Sequence, residues 1–258
     1  MHVLSVECEG LVARVTLNGV EVFAEWEGAS RVTQTKVDAM VVEGANALEV
    51  QLTPMTDDEG RPLAVDRLFR LELVRGVHGE DPGDAGRVAR WAWDEGRAPV
   101  EPGVLTGVWA RQFIVTDEQS HGRWAWQDAP SAAALPIDPA ELVAVVRAVH
   151  DALSARDVAA VEGLTTLKSE ELARALGVDL AEVLEGQREM WSENFADPAW
   201  RVEPFDPAAI AAVPMVDGRL VKLTDPYGAP PVKGSTSERP VGFAITVTRV
   251  NGLWVIAR

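Results

Sequence analysis

A chain of 258 residues, 47% hydrophobic and 25% charged, has the composition of a folded globular protein and is long enough for two cores. With 24 basic against 40 acidic residues its net charge is −16, which argues against nucleic-acid phosphates or an anionic membrane surface as the main partner. The single cysteine, Cys8, excludes an internal disulfide; no apolar run has the length of a membrane span, and the first residues lack the basic and long apolar regions of a secretory signal, so a soluble cytoplasmic protein is expected.

Residues 1–128 read as strands and turns. Cys8 falls in an early strand as a small buried apolar residue. Residues 11–17 alternate up to Asn18-Gly19, a type I′ hairpin signal, and 20–26 follow as the partner strand. Residues 31–42 supply one or two strands. A turn at Glu43-Gly44-Ala45-Asn46 leads to 47–52, with Leu48, Val50 and Leu52 on one side. Residues 67–77 alternate again, and 107–115 and 122–127 complete a set of short strands with no helical period between them, which predicts an antiparallel sandwich or barrel. The acidic stretch 79–84 offers carboxylates to a calcium ion but lacks the register of a calcium loop, and reads as a solvated loop.

Arg90-Trp91-Ala92-Trp93 is echoed by Arg123-Trp124-Ala125-Trp126. In a strand each pair of indoles shares one face. Trp91, Trp93, Trp124 and Trp126 are therefore candidates for an aromatic platform that binds a sugar ring or a proline-rich segment; the plainer reading is two paired strands whose indoles fill the core or cover its edge, which the energetics of buried Trp favours.

At residues 129–137 the composition becomes small and proline-bounded, as in a linker. Residues 138–258 then form a second domain. Asp138 has the character of an N-cap, with Pro139 at the first helical position and Glu141 placed to close a capping box. Leu142, Val146, Val149 and Leu153 form a helical apolar stripe. Asp157 caps a short helix through Val161, Ser169 caps another that ends at Gly177, and Asp179 starts a longer one through Met190-Trp191. Strands follow at 200–203, 213–216 and 219–223, with Asp217-Gly218 as a hairpin turn. The chain ends in a strand pair over 241–258 with Asn251-Gly252 as its turn, Val250 facing Leu253, Arg249 facing Trp254 and Val247 facing Ile256. Both faces of that pair are apolar enough to expect cover on both sides. The whole chain is thus expected to be α+β: an all-β antiparallel sandwich followed by helices packed on a curved antiparallel sheet.

Two resemblances bear on this. Val15-Thr16-Leu17-Asn18-Gly19-Val20 with Gly44-Ala45-Asn46-Ala47-Leu48-Glu49-Val50 resembles the galactose-binding-like jelly-roll sandwiches, which implies a fold that often binds sugars but transfers no ligand residue. Residues 145–161 together with 244–256 resemble the opening helix and closing hairpin of the nuclear transport factor two-like (ketosteroid-isomerase-like) cone. That resemblance implies a pocket inside the cone and a homodimer formed through the C-terminal sheet; residues 178–214 fit its pattern poorly.

Chemistry is sparse. Enzymes of the cone fold place Tyr with Asp, or His with Asp, in the pocket. Tyr227 lies in a turn signal at the start of a Pro/Gly/Ser-rich loop over 225–240, a candidate lid or contact loop. His150 is the best single candidate for a pocket base, and its neighbour Asp151 is expected to point elsewhere on the helix. His2 is terminal, and His78 and His121 lie in loops. No metal-ligand spacing, phosphate loop or nucleophile motif appears, and no metal or cofactor is expected. Both halves are acidic, with 12 basic and 22 acidic residues before residue 138 and 12 and 18 after. The leading expectation is a non-enzymatic adaptor or immunity-like protein whose acidic surface binds a basic protein partner. The alternative is a cone pocket that binds a small molecule or is catalytic, with the sandwich as a sugar-binding or structural appendage.

Overall fold

The computed structural model describes residues 2–63, 65–76, 86–94, 109–117 and 122–258. The chain is α+β and divides into two compact units, Met1–Gly122 and Arg123–Arg258. No helix among the described residues is long and apolar enough to cross a membrane.

The described part of the first unit is built from strands. They are β1 (His2–Glu9), β2 (Leu11–Leu17), β3 (Val20–Glu25), β4 (Arg31–Lys36), β5 (Gly44–Pro54), β6 (Leu68–Arg75), β7 (Arg87–Asp94) and β8 (Trp109–Asp117), with a 3₁₀ turn at Asp38–Met40. They form two four-stranded antiparallel sheets, ordered β4-β1-β6-β7 and β3-β2-β5-β8. Alternation puts Leu4, Val6 and Cys8 of β1, Val15 and Leu17 of β2, Leu48 and Val50 of β5, and Phe69 and Leu71 of β6 into one apolar cluster. Asn18 and Gly19 have the positive φ values of a type I′ turn, 52° and 77°. Asn18 and Asn46 hold that turn to β5. Asn18 Nδ2 donates to Asn46 Oδ1 at 2.8 Å, and the Asn18 Oδ1 accepts from the Ala47 N–H at 2.9 Å. Asn46 is buried, accepts from the Val42 N–H and donates to the carbonyls of Val42 and Gly44. Their work is structural, since the pair satisfies backbone groups that the turn leaves open.

The second unit begins with α1 (Ala125–Asp128), a single helical turn where alternation predicts a strand. Local side-chain closure decides this. Gln127 Oε1 accepts from the Trp124 N–H at 2.8 Å, and Arg123 forms a two-point ion pair with Asp128. Residues 129–137 are hydrogen-bonded into this unit: Ala132 N–H donates to Asp217 O and Arg249 donates to Pro136 O. Four helices follow, α2 (Pro139–Ser154), α3 (Val158–Leu164), α4 (Thr166–Leu176) and α5 (Leu180–Ala196). Asp138, Asp157 and Asp179 cap α2, α3 and α5, each accepting from a first-turn N–H. Gly177 ends α4 at φ 69°. Ser169 is not a cap. It is buried inside α4, its hydroxyl 3.0 Å from both Thr165 O and Gln187 Oε1. The helix starts at Thr166 because Ser169 N–H already bonds to Thr165 O, carrying the helical path on from α3.

The strands of this unit are β9 (Arg201–Val202), β10 (Ala211–Met215), β11 (Leu220–Thr224), β12 (Val232–Ser235), β13 (Pro240–Phe243), β14 (Ile245–Val250) and β15 (Leu253–Ile256). They form an antiparallel sheet β10-β11-β14-β15 and a smaller one, β13-β12-β9. The stretch expected to be one strand before Asn251 therefore breaks at Ala244, and its two parts serve different sheets. β12 also runs through the stretch expected to be a loop. The β14–β15 register is as the turn predicts, Val250 to Leu253, Arg249 to Trp254 and Val247 to Ile256. Cover is full on one face and partial on the other, where Thr248 and its partner Leu220 are buried but the turn end is not. Phe243, Ile245, Val247 and Ile256 are buried against the helices, whereas Leu253 on the other face is 71% exposed. The β10–β11 turn is longer than two residues, because Met215 pairs with Leu220 across Val216, Asp217, Gly218 and Arg219, the first three at positive φ. Gly218 also meets Ala132 so closely that a Cβ there would lie 2.4 Å from the alanine Cβ.

Candidate functional site

The unit's core is filled unevenly. Toward α5, Trp191 stacks on Phe243 with ring centroids 5.8 Å apart, and Phe195 meets Trp200 edge-on at 5.3 Å. Trp200 Nε1 donates to Leu153 O at 3.1 Å, so even its polar atom is satisfied in the core. Toward β15 three of the facing residues, Ala144, Ala148 and Gly163, are small. Ala144, Val145 and Ala148 of α2 look across to Gly163, Leu164 and Leu167, and between them lies a cleft of about 570 Å³. Val250, Trp254, Val255 and Ile256 form its third side. The walls are apolar apart from Thr166 and Glu170, and Glu170 is their one ionisable side chain. Such a volume, with apolar walls and few polar groups, is ordinary for a ligand cleft.

Trp254 is held in place from behind. Its Nε1 donates to Glu141 Oε2 at 3.0 Å, and the Arg249 guanidinium lies 4.5 Å from its ring centroid. Arg249 also reaches Glu141 Oε2 at 3.3 Å. Glu141 thus pins the cleft wall instead of closing a capping box at the start of α2. This Glu141–Arg249–Trp254 cluster joins residues 113 positions apart, which no local spacing could show.

His150 is not in the cleft. It is two residues beyond Ala148, about 200° around the helix, and its ring packs 5.1 Å from Phe205. Contrary to expectation it does touch Asp151, with Nδ1 3.3 Å from Oδ1, but the carboxylate is 69% exposed. Tyr227 is 93% exposed in a turn held by Asp225, which accepts from the Tyr227 and Ala229 N–H groups and from Lys233 Nζ at 2.6 Å. Neither His150 nor Tyr227 is among the residues that line the cleft, and Glu170 is the one side chain there that could accept a proton.

All four candidate indoles are buried, and they lie in separate units. Trp91 and Trp93 point into the core of the first, Trp91 with its ring 5.5 Å from Phe69. Trp124 is fully buried in the second, with Arg174 and Arg258 over its ring at 4.6 and 5.3 Å. The adjacent Ala125 N–H donates to Glu171 Oε1, and the buried Glu171 carboxylate also receives Arg258. None of the four offers an open ring face to a sugar. The outer side of sheet β4-β1-β6-β7 carries a smaller groove of about 190 Å³, lined by residues that include the ion-paired Arg70 and Glu7.

His2 is not a loose terminal residue. It is fully buried, and its Nδ1 lies 3.0 Å from Asp38 Oδ1. Burial by itself raises Asp38, but the His2 hydrogen bonds and charge outweigh it and hold the carboxyl below its usual value. Cys8 is fully buried, and that burial, with the nearby Glu25 charge, pushes its thiol up to about 12. His78, His121 and the acidic stretch 79–84 lie outside the described residues. Among the described residues, no group of three or more His, Cys, Asp or Glu is placed to hold a metal ion. Compared with known proteins, the chain matches no family model, no curated protein and no solved structure.

Proposed function

We propose that this chain is a non-enzymatic interaction protein whose second unit receives an apolar, basic segment of a protein partner in the β15 cleft. The observation that carries this is the cleft lining: apolar walls, one carboxylate and no acid–base pair. A net charge of −16 adds a long-range field that draws a basic partner and repels an acidic one. This is an adaptor or immunity-like role, exercised in the cytoplasm. The cone reading of the second unit is supported by helices packed on an antiparallel sheet with an opening beside its last strand. The jelly-roll sandwich reading of the first is supported by two four-stranded sheets sharing one apolar cluster. With its indoles inside, the first unit is best read as a structural appendage.

A second reading, a small apolar molecule in the same cleft, is favoured by the volume alone. Filling the cleft with Ala148→Trp tests both. A partner held by the wild-type chain at low salt should be released at high salt and should not bind the variant. Retention by the variant would move the interaction elsewhere. A small molecule found by native mass spectrometry on the wild-type chain and absent from the variant would establish the second reading instead.

A further inference from the structure

The basic residues of this chain are mostly arginine. Of the 24, the lysines are Lys36, Lys168, Lys222 and Lys233. An arginine keeps its proton in a protein. A lysine loses one readily when it is desolvated or set beside another cation, and the neutral amine is a nucleophile. The four amines differ in their surroundings. Lys36 is exposed on β4, and Lys222 is half-buried on β11. Lys233 donates to Asp225 at 2.6 Å, a bond that keeps its proton on. Lys168 is half-buried on α4, its Nζ 5.8 Å from the centroid of the Phe243 ring, and among the described residues no carboxylate pairs with it. Glu171 is placed to do so, three residues on along the same face of the helix. It is instead engaged by Arg258, Arg174 and the Ala125 N–H. Arg258 thus brings a second cation toward the amine while its own counter-charge is held elsewhere. Burial first and the Arg258 charge second hold the amine below its usual pKa.

We propose that Lys168 is a modification site, whose amine takes a small acyl group from a thioester and thereby stabilises the second unit. The amine nitrogen attacks the thioester carbonyl. The C–N bond forms as the C–S bond breaks, and the proton shed by nitrogen leaves on the thiol. The product is a neutral amide, so the modification removes a cation that has no carboxylate and faces Arg258. A thioester is favoured over an acyl phosphate because a net charge of −16 repels the phosphate. This site is independent of the β15 cleft and of the partner proposed for it.

The test is to incubate the folded full chain with the acetyl thioester of N-acetylcysteamine, which is uncharged, and to follow acetylation of each lysine by mass spectrometry across a pH series. Near neutral pH Lys168 should react about threefold faster than Lys36 or more, because a larger share of it is neutral. That lead should shrink as pH rises to the ordinary lysine pKa, where Lys36 loses its proton too. Lys233 should lag behind both. Acetylation at Lys168 should raise the thermal midpoint of the second unit by about 2–4 °C, as should Lys168→Gln, whereas Lys168→Arg, which keeps the charge, should not. Reaction at Lys168 no faster than at Lys36, or only once denaturant has unfolded the chain, would overturn the proposal. So would a lead that persists unchanged at high pH, which would report access and not a neutral amine, or a midpoint that falls on acetylation. A larger lead with acetyl phosphate would overturn the choice of donor.

Discussion

The two units bury their apolar residues in different ways. In the first, strands from both sheets send Leu, Val, Phe and Trp side chains into one cluster, and Leu11, Val15, Leu17, Leu48, Val50 and Leu52 have no exposed surface. In the second, helices lie on a sheet. Aromatic residues fill the α5 side, while Ala144, Ala148 and Gly163 leave the β15 side open. The lesson is that an apolar segment need not be a core segment. Alternation and helical stripes mark which residues turn away from water, but the sizes of facing residues decide whether the space between them closes.

The largest effect is expected at Glu171, which is buried with Arg258 on one oxygen and the Ala125 N–H on the other. Glu171→Ala removes the buried carboxylate that Arg258 and the Ala125 N–H share and should cost about 3–5 kcal/mol, read by denaturant unfolding. A loss below about 1 kcal/mol would show that the cluster is solvated.

Next comes a matched pair of truncations. Leu48→Ala, in the sealed core, should cost about 2–5 kcal/mol, because the void cannot collapse. Val145→Ala, on the wall of a cleft that is already open, should cost less than about 1 kcal/mol. Equal losses would mean that the cleft is closed in solution and that the two units pack alike.

Both units should gain stability as pH rises, but in different pH windows and for different reasons. Asp38 is held below its usual carboxylate value in the folded first unit. Its contribution to stability is complete above the ordinary carboxylate pKa and is lost as pH falls through the depressed value. In the second unit, burial first and the Arg258 charge second hold the Lys168 amine below its usual value, with Phe243 under it at 5.8 Å. The unfolded chain binds that proton more tightly, so the cost is fully present below the folded pKa and is relieved as pH rises to the ordinary lysine value. Amide exchange resolved by unit should show the acid limb of the first flattened by Asp38→Asn. The alkaline rise of the second should be removed by Lys168→Met, which should also stabilise it at neutral pH. Unchanged limbs in either variant would remove that assignment.

A modest effect is expected at Trp254 on the cleft wall. Trp254→Phe removes the Nε1 bond to Glu141 and weakens the Arg249 stack. It should cost about 0.5–1.5 kcal/mol in unfolding. Its effect on partner binding should exceed that of an equally destabilising core change, which separates a binding wall from ordinary packing.

Much of the fold was legible. Asn18-Gly19 and Asn251-Gly252 announce hairpins because few residue pairs tolerate two consecutive positive φ values, and Asp138, Asp157 and Asp179 announce helix starts because a carboxylate satisfies first-turn N–H groups. Trp124-Ala125-Trp126 misled because alternation over three residues carries little information against a Gln127 and an Asp128 that close a turn locally. Ser169 misled because a serine suits a cap and a buried helix position equally well when its hydroxyl finds a carbonyl.

The candidate site was less legible. Trp254 and Ile256 were placed on one sheet face by the hairpin register alone, and the apolar stripe of α2 by its period. By itself the sequence determined these local matters: where the chain turns, which residues start helices, which side of each element avoids water and how much charge the molecule carries. Only the tertiary structure decided that Glu141, Arg249 and Trp254 meet, that His150 lies on the far side of α2 from the cleft, that the indoles of Trp91 and Trp124 belong to different units, and that small residues face each other beside β15. The reason is physical. Turns, caps and periods depend on neighbours within a few residues, whereas a cleft is set by what remains unfilled after elements distant in sequence have packed.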